Sequence, residues 1–223
     1  HNENEVTRLS NDVFTMDKIL LGDVFIRGGS SSGTHVLEEG RPIGQFYGLV
    51  CNGIDENGRY IMVDKDGDGE ISDPADYDYI GSAQPKLTYG ITNTFRYKNF
   101  DLSFFLRGTI GNDILNATRM AYAQSGFLPG TNALDDPLTY TLSETPRFSN
   151  YYLEKGSFMR LDNLTLGYKI KALNGIRVYF TAQNLFVITK YKGLDPEVPM
   201  DSGDGLTPGV EPREFYHAHS LLD

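Results

Sequence analysis

The sequence lacks tryptophan, contains a single cysteine and has no long apolar run. Cys51 cannot form a disulfide within the chain, and the favoured interpretation is a small buried apolar side chain. No apolar stretch approaches the roughly 18 residues that a transmembrane helix requires. This absence does not exclude transmembrane strands, because their alternation of apolar and polar residues escapes a hydropathy scan.

Several classes of function lack their signatures. Lys and Arg form no cluster along the sequence, and the formal net charge of −10 argues against a nucleic-acid-binding protein. The motifs G-x-S-x-G, H-E-x-x-H and the phosphate-binding P-loop are missing, so we predict that the chain is not an enzyme. No signal peptide is visible and the chain begins without Met, which predicts a processed or truncated product.

The composition favours β structure with many turns, since the chain has 14 Tyr, 13 Phe and 24 Gly. Helical periodicity is weak, and the pattern predicts one short helix over residues 112–123. In the first third, strands are predicted over residues 19–27 and 43–54. The Gly- and Ser-rich stretch 28–33 predicts a flexible loop between them.

Residues 87–110 show the clearest alternation with a period of two. A two-residue turn at 98–99 gives one register that satisfies both faces of a hairpin. The apolar face pairs Tyr97 with Phe100, Phe95 with Leu102, Ile91 with Leu106 and Leu87 with Ile110, and the polar face pairs Arg96 with Asp101, Thr94 with Ser103 and Thr88 with Thr109. Each strand has the length of about 10 residues that a tilted strand needs to cross a bilayer.

A second hairpin is predicted over residues 158–170 and 176–189, joined by a turn at 171–175. In this register Lys169 lies opposite Arg177, which is an unfavourable pair of like charges. The apolar positions change parity near Asp162, and a β-bulge there would explain the change.

The connections differ in length according to the end of the hairpins at which they lie. The turns at 98–99 and 171–175 are short, whereas the segments 111–157 and 190–212 are long and rich in Gly, Pro, Asp and Ser. Short turns at one end and long loops at the other are typical of an outer-membrane barrel. The first hairpin alone is equally compatible with a soluble β-sandwich.

The strongest chemical pattern is the acidic loop at residues 64–76. Its carboxylates at loop positions 1, 3 and 5 and its Gly69 at position 6 follow the calcium loop of an EF-hand, although position 12 is Ala75. We predict a structural Ca²⁺ site; the alternative is an acidic turn without an ion. The predicted ligands are Asp64, Asp66, Asp68, Glu70, Asp73 and Asp76. His217 and His219 share a strand face, but two imidazoles alone make a weak metal site.

Several stretches in series resemble the C-terminal part of SusC/RagA-type TonB-dependent transporters of Bacteroidetes-like bacteria. Their order and spacing match along nearly the whole chain. They are Gly44-Gln45-Phe46-Tyr47-Gly48, the acidic loop from Asp64, Ile80 to Gly90, Tyr97 to Ser103, Gly156 to Tyr168, Ala182-Gln183-Asn184-Leu185-Phe186, Thr189-Lys190-Tyr191 and Gly193-Leu194-Asp195-Pro196-Glu197.

The resemblance implies an all-β fold, an antiparallel transmembrane segment of a 22-stranded barrel. Residues 1–223 would form the C-terminal part of that barrel domain, with the plug and earlier strands outside the chain. The chain would stop within the final strand, at Leu221-Leu222-Asp223. The implied protein imports oligosaccharides or peptides across the outer membrane. Its partners would be a SusD-like surface lipoprotein, the TonB complex acting through the plug, and the lipid bilayer.

Two other functions compete with this interpretation. One is a secreted, calcium-stabilised β-sandwich that binds carbohydrate, and the other is a glycan-cleaving enzyme domain. Aromatic residues of the long loops could stack on sugars or could pack the loop. These residues are Tyr122, Phe127, Tyr140, Phe148, Tyr151 and Tyr152. A closed protein interior around the apolar row of residues 87–110 would exclude the importer.

Overall fold

The computed structural model describes residues 3–10, 16–26, 29–126, 128, 132–171, 175–198 and 205–211. Within these ranges the chain forms twelve strands and two short α-helices. The first strands are β1 (Lys18–Ile26), β2 (Gly29–Glu38), β3 (Gln45–Leu49), β4 (Cys51–Ile54), β5 (Tyr60–Met62) and β6 (Tyr77–Ser82). The later elements are β7 (Leu87–Tyr97), β8 (Phe100–Ile110), β9 (Asp113–Leu115), α1 (Ala117–Tyr122), α2 (Pro137–Thr141), β10 (Leu153–Lys155), β11 (Phe158–Ile170) and β12 (Ile176–Thr189).

Four long strands form an antiparallel sheet in the order β12-β11-β8-β7, which we call the wall sheet. Its strands contain 11 to 14 residues. Every strand therefore reaches or exceeds the roughly 9–11 residues that a tilted strand needs to cross a bilayer.

Both predicted hairpins are present with the predicted registers. Tyr97 lies opposite Phe100, and every pair predicted between β7 and β8 is observed. In the second hairpin Lys169 lies opposite Arg177, and the register shifts between Leu161 and Asn163. The bulge predicted at Asp162 is therefore confirmed.

The two hairpins are joined by pairing between β8 and β11, with Leu166 opposite Leu102 and Arg160 opposite Arg107. These strands are separated by the whole of residues 111–157, so the pairing has no local sequence signal. It places the apolar rows of both hairpins on one face of the sheet and the polar rows on the other.

The remaining elements, β1–β6, β9, β10, α1 and α2, form a second unit that we call the body. Its main sheet has the order β1-β2-β3-β6, and β4-β5 and β9-β10 are short pairs. Its buried core combines residues from distant parts of the chain: Val24, Phe46, Ala83, Leu115, Ala117, Met120, Ala123, Leu138, Phe148 and Tyr152. Residues 111–157 therefore contribute to a packed core instead of forming an extended loop.

Three local predictions need correction. The helix predicted over 112–123 is confined to Ala117–Tyr122, because Asp113–Leu115 pairs with β10 and Asn116 caps the helix by accepting a hydrogen bond from the Arg119 N–H. The strand predicted over 43–54 is divided into β3 and β4. The loop predicted over 28–33 is wrong for Gly29–Gly33, since pairing with β1 places these residues in β2 despite their low intrinsic strand preference.

Residues 205–211 close one side of the body core. The Leu115 N–H donates to the Gly209 carbonyl at 2.8 Å, and the Glu211 N–H donates to the Leu115 carbonyl at 3.1 Å. The Nε2 of the fully buried His35 lies 2.9 Å from the Pro208 carbonyl oxygen. No helix in the described ranges is long and apolar enough to cross a membrane.

Candidate functional site

The apolar face of the wall sheet is open. Ile91 is 52% exposed and Phe95 is 53% exposed, whereas a residue packed between two sheets would be buried. The inner-strand residues Phe104 and Leu106 are also incompletely buried. This geometry does not support a β-sandwich, which would cover the apolar row with a second sheet. It fits a wall whose outer face contacts lipid.

Aromatic side chains mark the end of the wall that carries the short turns. The rings of Phe100 and Tyr168 lie 4.6 Å apart between their centroids, and Tyr97 is exposed beside them on the same face. Aromatic residues at strand ends are typical of the membrane interface, because their rings are amphipathic.

The bulge keeps each face chemically uniform along β11 and β12. Asp162 is the extra residue of β11, and the opposite strand has Asn184 in the left-handed region at a φ of 49°. Because a shift of one residue exchanges the two faces, this irregularity returns Leu161 and Leu164 to the same apolar face. The change in parity of the apolar positions near Asp162 therefore corresponds to a register shift in the pairing of β11 with its neighbours.

The opposite face of the wall sheet is polar and carries ion pairs. Near the short turns, Arg177 of β12 reaches Asp101 of β8 across β11, with Nε to Oδ1 at 3.0 Å. The residue between them is Gly167, where a Cβ would lie within 2.6 Å of both charged groups. The glycine leaves the space through which the two strands are bridged.

Further along the same face, two arginines lie directly opposite each other. Arg107 forms a bidentate pair with Glu197 and a third contact with Asp162. Arg160 contacts Asp195 at 2.5 Å and Glu197 at 3.1 Å. The carboxylates offset the repulsion between the arginines and hold residues 191–198 on the polar face.

This arginine network is a feature that the sequence patterns did not predict. Its residues come from β8, β11 and the segment after β12, so no single stretch contains it. The available signal was the placement of Arg107 and Arg160 on the polar rows of two predicted strands. Recognising their contact would have required the pairing between β8 and β11.

In the acidic loop, three of the six predicted ligands converge. Carboxylate oxygens of Asp64, Asp66 and Asp68 lie within 4.8 Å of one another, and all three side chains are exposed. Backbone N–H groups orient them, since Gly67 donates to Asp64 at 2.6 Å and Asp68 donates to Asp66 at 3.1 Å. The Glu70 N–H donates to the Asp68 carboxylate at 2.8 Å.

Two of the remaining three predicted ligands, Asp73 and Asp76, have protein partners. Asp73 pairs with Arg147 at 2.7 Å. Asp76 is buried and accepts hydrogen bonds from the N–H groups of Ser72 at 2.8 Å and Lys65 at 2.6 Å. These backbone bonds, from Ser72 first and then Lys65, lower the pKa of Asp76 because they stabilise the ionised carboxylate. Asp76 thus fixes the conformation of the loop.

Other candidate residues have structural surroundings or lie elsewhere. Cys51 is buried, as expected, and burial raises the pKa of its thiol. Phe148 and Tyr152 pack in the body core, whereas Tyr140 on α2 is 73% exposed. Phe127, His217 and His219 lie outside the described residues.

The chain has relatives among TonB-dependent receptors. No family model matches the chain. The TonB-dependent receptor P3 of Formosa agariphila is 35% identical over 196 residues, which are 74% of this chain and 19% of the relative. The TonB-dependent receptor SusC of Bacteroides thetaiotaomicron is 35% identical over 216 residues, or 88% of this chain and 21% of the relative.

Among solved structures, the RagAB peptide importer in its closed-closed state superposes with a TM-score of 0.67 at 26% identity, covering 92% of this chain and 24% of the matched chain. The chain belongs to the SusC/RagA type of TonB-dependent receptor. It spans about a fifth of the length of the curated SusC/RagA-type relatives that it matches. The open wall sheet is therefore a segment of a TonB-dependent barrel, and its relatives are named as receptors and a transporter rather than as enzymes.

Proposed function

We propose that this chain supplies wall strands and an extracellular body to an outer-membrane receptor that imports oligosaccharides or peptides in a TonB-dependent manner. The observation that carries the proposal is the two-faced wall. One face carries apolar side chains that are exposed or only partly buried and are interrupted in β7 by Asn93, and the other carries hydroxyls and ion pairs. A sheet with lipid on one side and a wet lumen on the other requires this division.

The orientation follows from the connections. The short turns at 98–99 and 171–175 face the periplasm, and the body faces the exterior because outer-membrane barrels carry their long loops outside. The acidic composition of the chain suits that exposed position. In this arrangement the exposed Tyr140 lies on the extracellular side, where a ligand or partner could reach it.

A pair of neighbouring positions tests the division of the wall. In the full-length receptor with Cys51 and any other native cysteine replaced by serine, single cysteines at Ile91 and Thr92 would carry nitroxide labels in lipid vesicles. We expect oxygen, which concentrates in hydrocarbon, to relax the label at Ile91 more strongly than a water-soluble nickel chelate does. The label at Thr92 should show the reverse order. Equal responses, or water access at Ile91, would contradict a lipid-facing wall.

The partner and substrate classes rest on the relatives. The matched structures are of a peptide importer, RagAB, and one relative is named SusC. We infer a SusD-like surface lipoprotein as the partner on the extracellular body, and the TonB complex as the source of energy. Affinity purification of the full-length receptor from its native outer membrane should recover a lipoprotein in fixed proportion. Uptake of labelled oligopeptides and oligosaccharides, with and without TonB, would identify the substrate class.

We also propose that the acidic loop binds one structural Ca²⁺. The carboxylates of Asp64, Asp66 and Asp68 already converge, and oxygen ligands in a flexible loop suit Ca²⁺ better than Mg²⁺. Calcium should protect the loop amides from hydrogen exchange, and Asp66→Asn should weaken that effect. The matched control is Asp55→Asn, in the turn between β4 and β5. Identical exchange with calcium and with chelator would contradict the site.

A further inference from the structure

A cleft of about 460 Å³ opens on the apolar side of the wall sheet, at the end of the sheet that joins the body. We call it the wall cleft. All four wall strands contribute an apolar or aromatic side chain to it: Tyr89 of β7, Ile110 of β8, Met159 of β11 and Ile188 of β12. Ile110 is 49% exposed and Ile188 is 58% exposed, so the wall cleft is open to the medium that covers this face.

Gly108 gives the wall cleft part of its shape. Tyr89 lies directly opposite Gly108 on the neighbouring strand. Its side chain crosses β8, since the Tyr89 hydroxyl donates to the Phe158 carbonyl of β11 at 3.4 Å. A Cβ at Gly108 would lie 2.6 Å from the Tyr89 hydroxyl oxygen. The glycine therefore leaves the space that allows the tyrosine to form one side of the wall cleft.

The end of the wall cleft nearest the body is polar and basic. It is lined by Lys155 of β10, by Ser157 immediately before β11 and by Lys190 immediately after β12. The period of two that places Met159 and Ile188 on the apolar face extends to Ser157 and Lys190. The described residues that line the wall cleft include two lysines and no acidic side chain.

The three polar groups retain donors for a ligand. The Lys155 ammonium donates to Asp113 at 2.7 Å, but its side chain is 75% exposed and it has further N–H groups. The Ser157 hydroxyl accepts a hydrogen bond from the Gly111 N–H at 2.9 Å, which leaves its own hydrogen to donate. Lys190 is exposed, and no described residue pairs with its ammonium group. Two cations and one paired carboxylate leave this end with net positive charge.

We propose that the wall cleft binds one anionic phospholipid, with its phosphate at Lys155, Ser157 and Lys190 and an acyl chain along Tyr89 and Ile188. Phosphate oxygens accept hydrogen bonds from ammonium and hydroxyl groups, and their charge matches that of the lysines. A soluble anion would use only the polar end, whereas a lipid also covers the apolar part of the cleft. The inference rests on the proposed function, which assigns the apolar face to lipid.

The position of the polar groups along the wall suits a lipid headgroup. Ser157 and Lys190 lie where the apolar rows of β11 and β12 end. Lipid headgroups occupy the polar layer that borders the hydrocarbon, and long lysine side chains reach into that layer. The opposite end of the wall provides a comparison. There Lys98 lies in the short turn, with its Nζ 5.2 Å from the centre of the Tyr97 ring.

Acetylation of lysines in the full-length receptor tests the proposal. Lipid nanodiscs leave both faces of the bilayer open to the reagent, and mass spectrometry gives the rate at each lysine. When phosphatidylglycerol is added to phosphatidylcholine, we expect the rate at Lys190 to fall several-fold more than the rate at Lys98. Lys98 reports the general effect of an anionic surface at the opposite interface. Equal decreases at Lys190 and Lys98 would overturn the proposal.

Inorganic phosphate distinguishes a lipid site from a site for a soluble anion. In phosphatidylcholine nanodiscs, addition of inorganic phosphate in place of phosphatidylglycerol should leave the acetylation rate of Lys190 unchanged. Protection equal to that given by the lipid would overturn the proposal. Failure of the proposed function is distinguishable, because it would appear as water access to the label at Ile91. With that label in hydrocarbon, missing protection of Lys190 counts against the lipid site alone.

Substitution of Lys190 gives a second measurement, the lipid that the receptor retains. Native mass spectrometry of the receptor released from these nanodiscs should show one bound phosphatidylglycerol. Lys190→Gln should lose this lipid, whereas Lys190→Arg should keep it because the guanidinium group keeps the charge and the donors. Lys192→Gln, at an exposed lysine two residues away, is the matched control and should retain the lipid. Equal retention by Lys190→Gln and the wild type, both with the folded band in gels, would overturn the proposal.

Discussion

In the body, Phe46 is fully buried, whereas in the wall sheet Ile91 and Phe95 are about half exposed at 52% and 53%. The body closes an interior of its own from β-strands, short helices and loops. The wall sheet encloses no hydrophobic interior of its own. It is held by backbone pairing and by the medium that covers its apolar face. The two regions of one chain therefore use the hydrophobic effect in different ways.

The difference extends to the polar groups. In the body, hydrogen bonds fix loops against one another, as when the His35 ring contacts the Pro208 carbonyl. In the wall sheet, ion pairs cross between strands on the lumen face, as in the contact of Arg177 with Asp101. A buried core needs close packing, whereas a wall needs a uniform chemical character on each face.

Truncation of a core aromatic should have the largest effect. Phe46→Ala removes a fully buried ring and leaves a cavity, so we expect a loss of about 3–5 kcal/mol in the local stability of the body. Phe95→Ala removes an equal volume from the wall, where lipid can fill the space, and should cost much less. Hydrogen exchange of the full-length receptor in vesicles measures both. Equal losses in body and wall would contradict the comparison.

A charge on the apolar face of the wall should have the next largest effect. Ile91→Lys places an ammonium group in hydrocarbon, at a cost of about 2–4 kcal/mol near the middle of the bilayer. Thr92→Lys, one residue away, directs the same group into the lumen and should be close to neutral. Folding yield into lipid vesicles, read from the heat-dependent shift of the folded band in gels, reports the difference. A larger loss for Thr92→Lys would reverse the assignment of the faces.

The wall sheet was predictable from sequence because its contacts are local. The alternation of residues 87–110 and the two-residue turn at 98–99 define a register, and β7 and β8 adopt it pair by pair. The parity change at Asp162 likewise appears as a shift in the ladder. In each case the sequence pattern and the hydrogen-bonding partner lie within one hairpin.

The body was less predictable because its core is assembled from distant residues. Phe46, Leu115, Leu138 and Phe148 lie in stretches rich in Gly, Pro and polar residues, and they become a core only after the chain folds back. Phe148 packs so closely on β3 that a Cβ at Gly48 would lie 2.5 Å from its ring. The periodicity of a single sequence does not reveal contacts between residues that are far apart along the chain.

The acidic loop was predicted in part. The spacing of Asp64, Asp66 and Asp68 indicates convergence, and their carboxylates do converge. The role of Asp76 was not apparent, because its hydrogen bonds go to backbone N–H groups, which no side-chain pattern reveals. Residues 191–198 were predicted as a long loop, but their contacts with Arg107 and Arg160 come from tertiary pairing.

Removing the contact between Arg107 of the wall sheet and Glu197 should have a smaller effect on stability. Residues 191–198 lie between the wall and the segment 205–211 and contact the wall through Glu197. A double-mutant cycle with Arg107→Gln and Glu197→Gln should give a coupling of about 0.5–1 kcal/mol, because both side chains remain partly exposed. Hydrogen exchange of residues 191–198 measures it. A coupling near zero would show that the arginines do not hold this segment.

The pH dependence of the acidic loop should be the smallest of these effects and confined to the body. Backbone N–H groups of Ser72 and Lys65 lower the pKa of Asp76 in the folded chain. Because the unfolded carboxyl titrates near about 3.9, its ionised form contributes stability above that pH. The contribution is lost as the pH falls through the lower folded-state value, since protonation removes an acceptor from these N–H groups.

Limited proteolysis between pH 7 and pH 3 should therefore cut residues 64–76 faster at the acidic end of the range, while the wall strands stay resistant. Asp76→Asn should make the loop susceptible already at pH 7, because an amide cannot replace both accepting oxygens. If the variant and the wild type were cut at equal rates at pH 7, Asp76 would not be what holds the loop closed. If acid instead opened the wall strands first, the wall would be the region more sensitive to pH. That result would contradict a pH effect confined to the body.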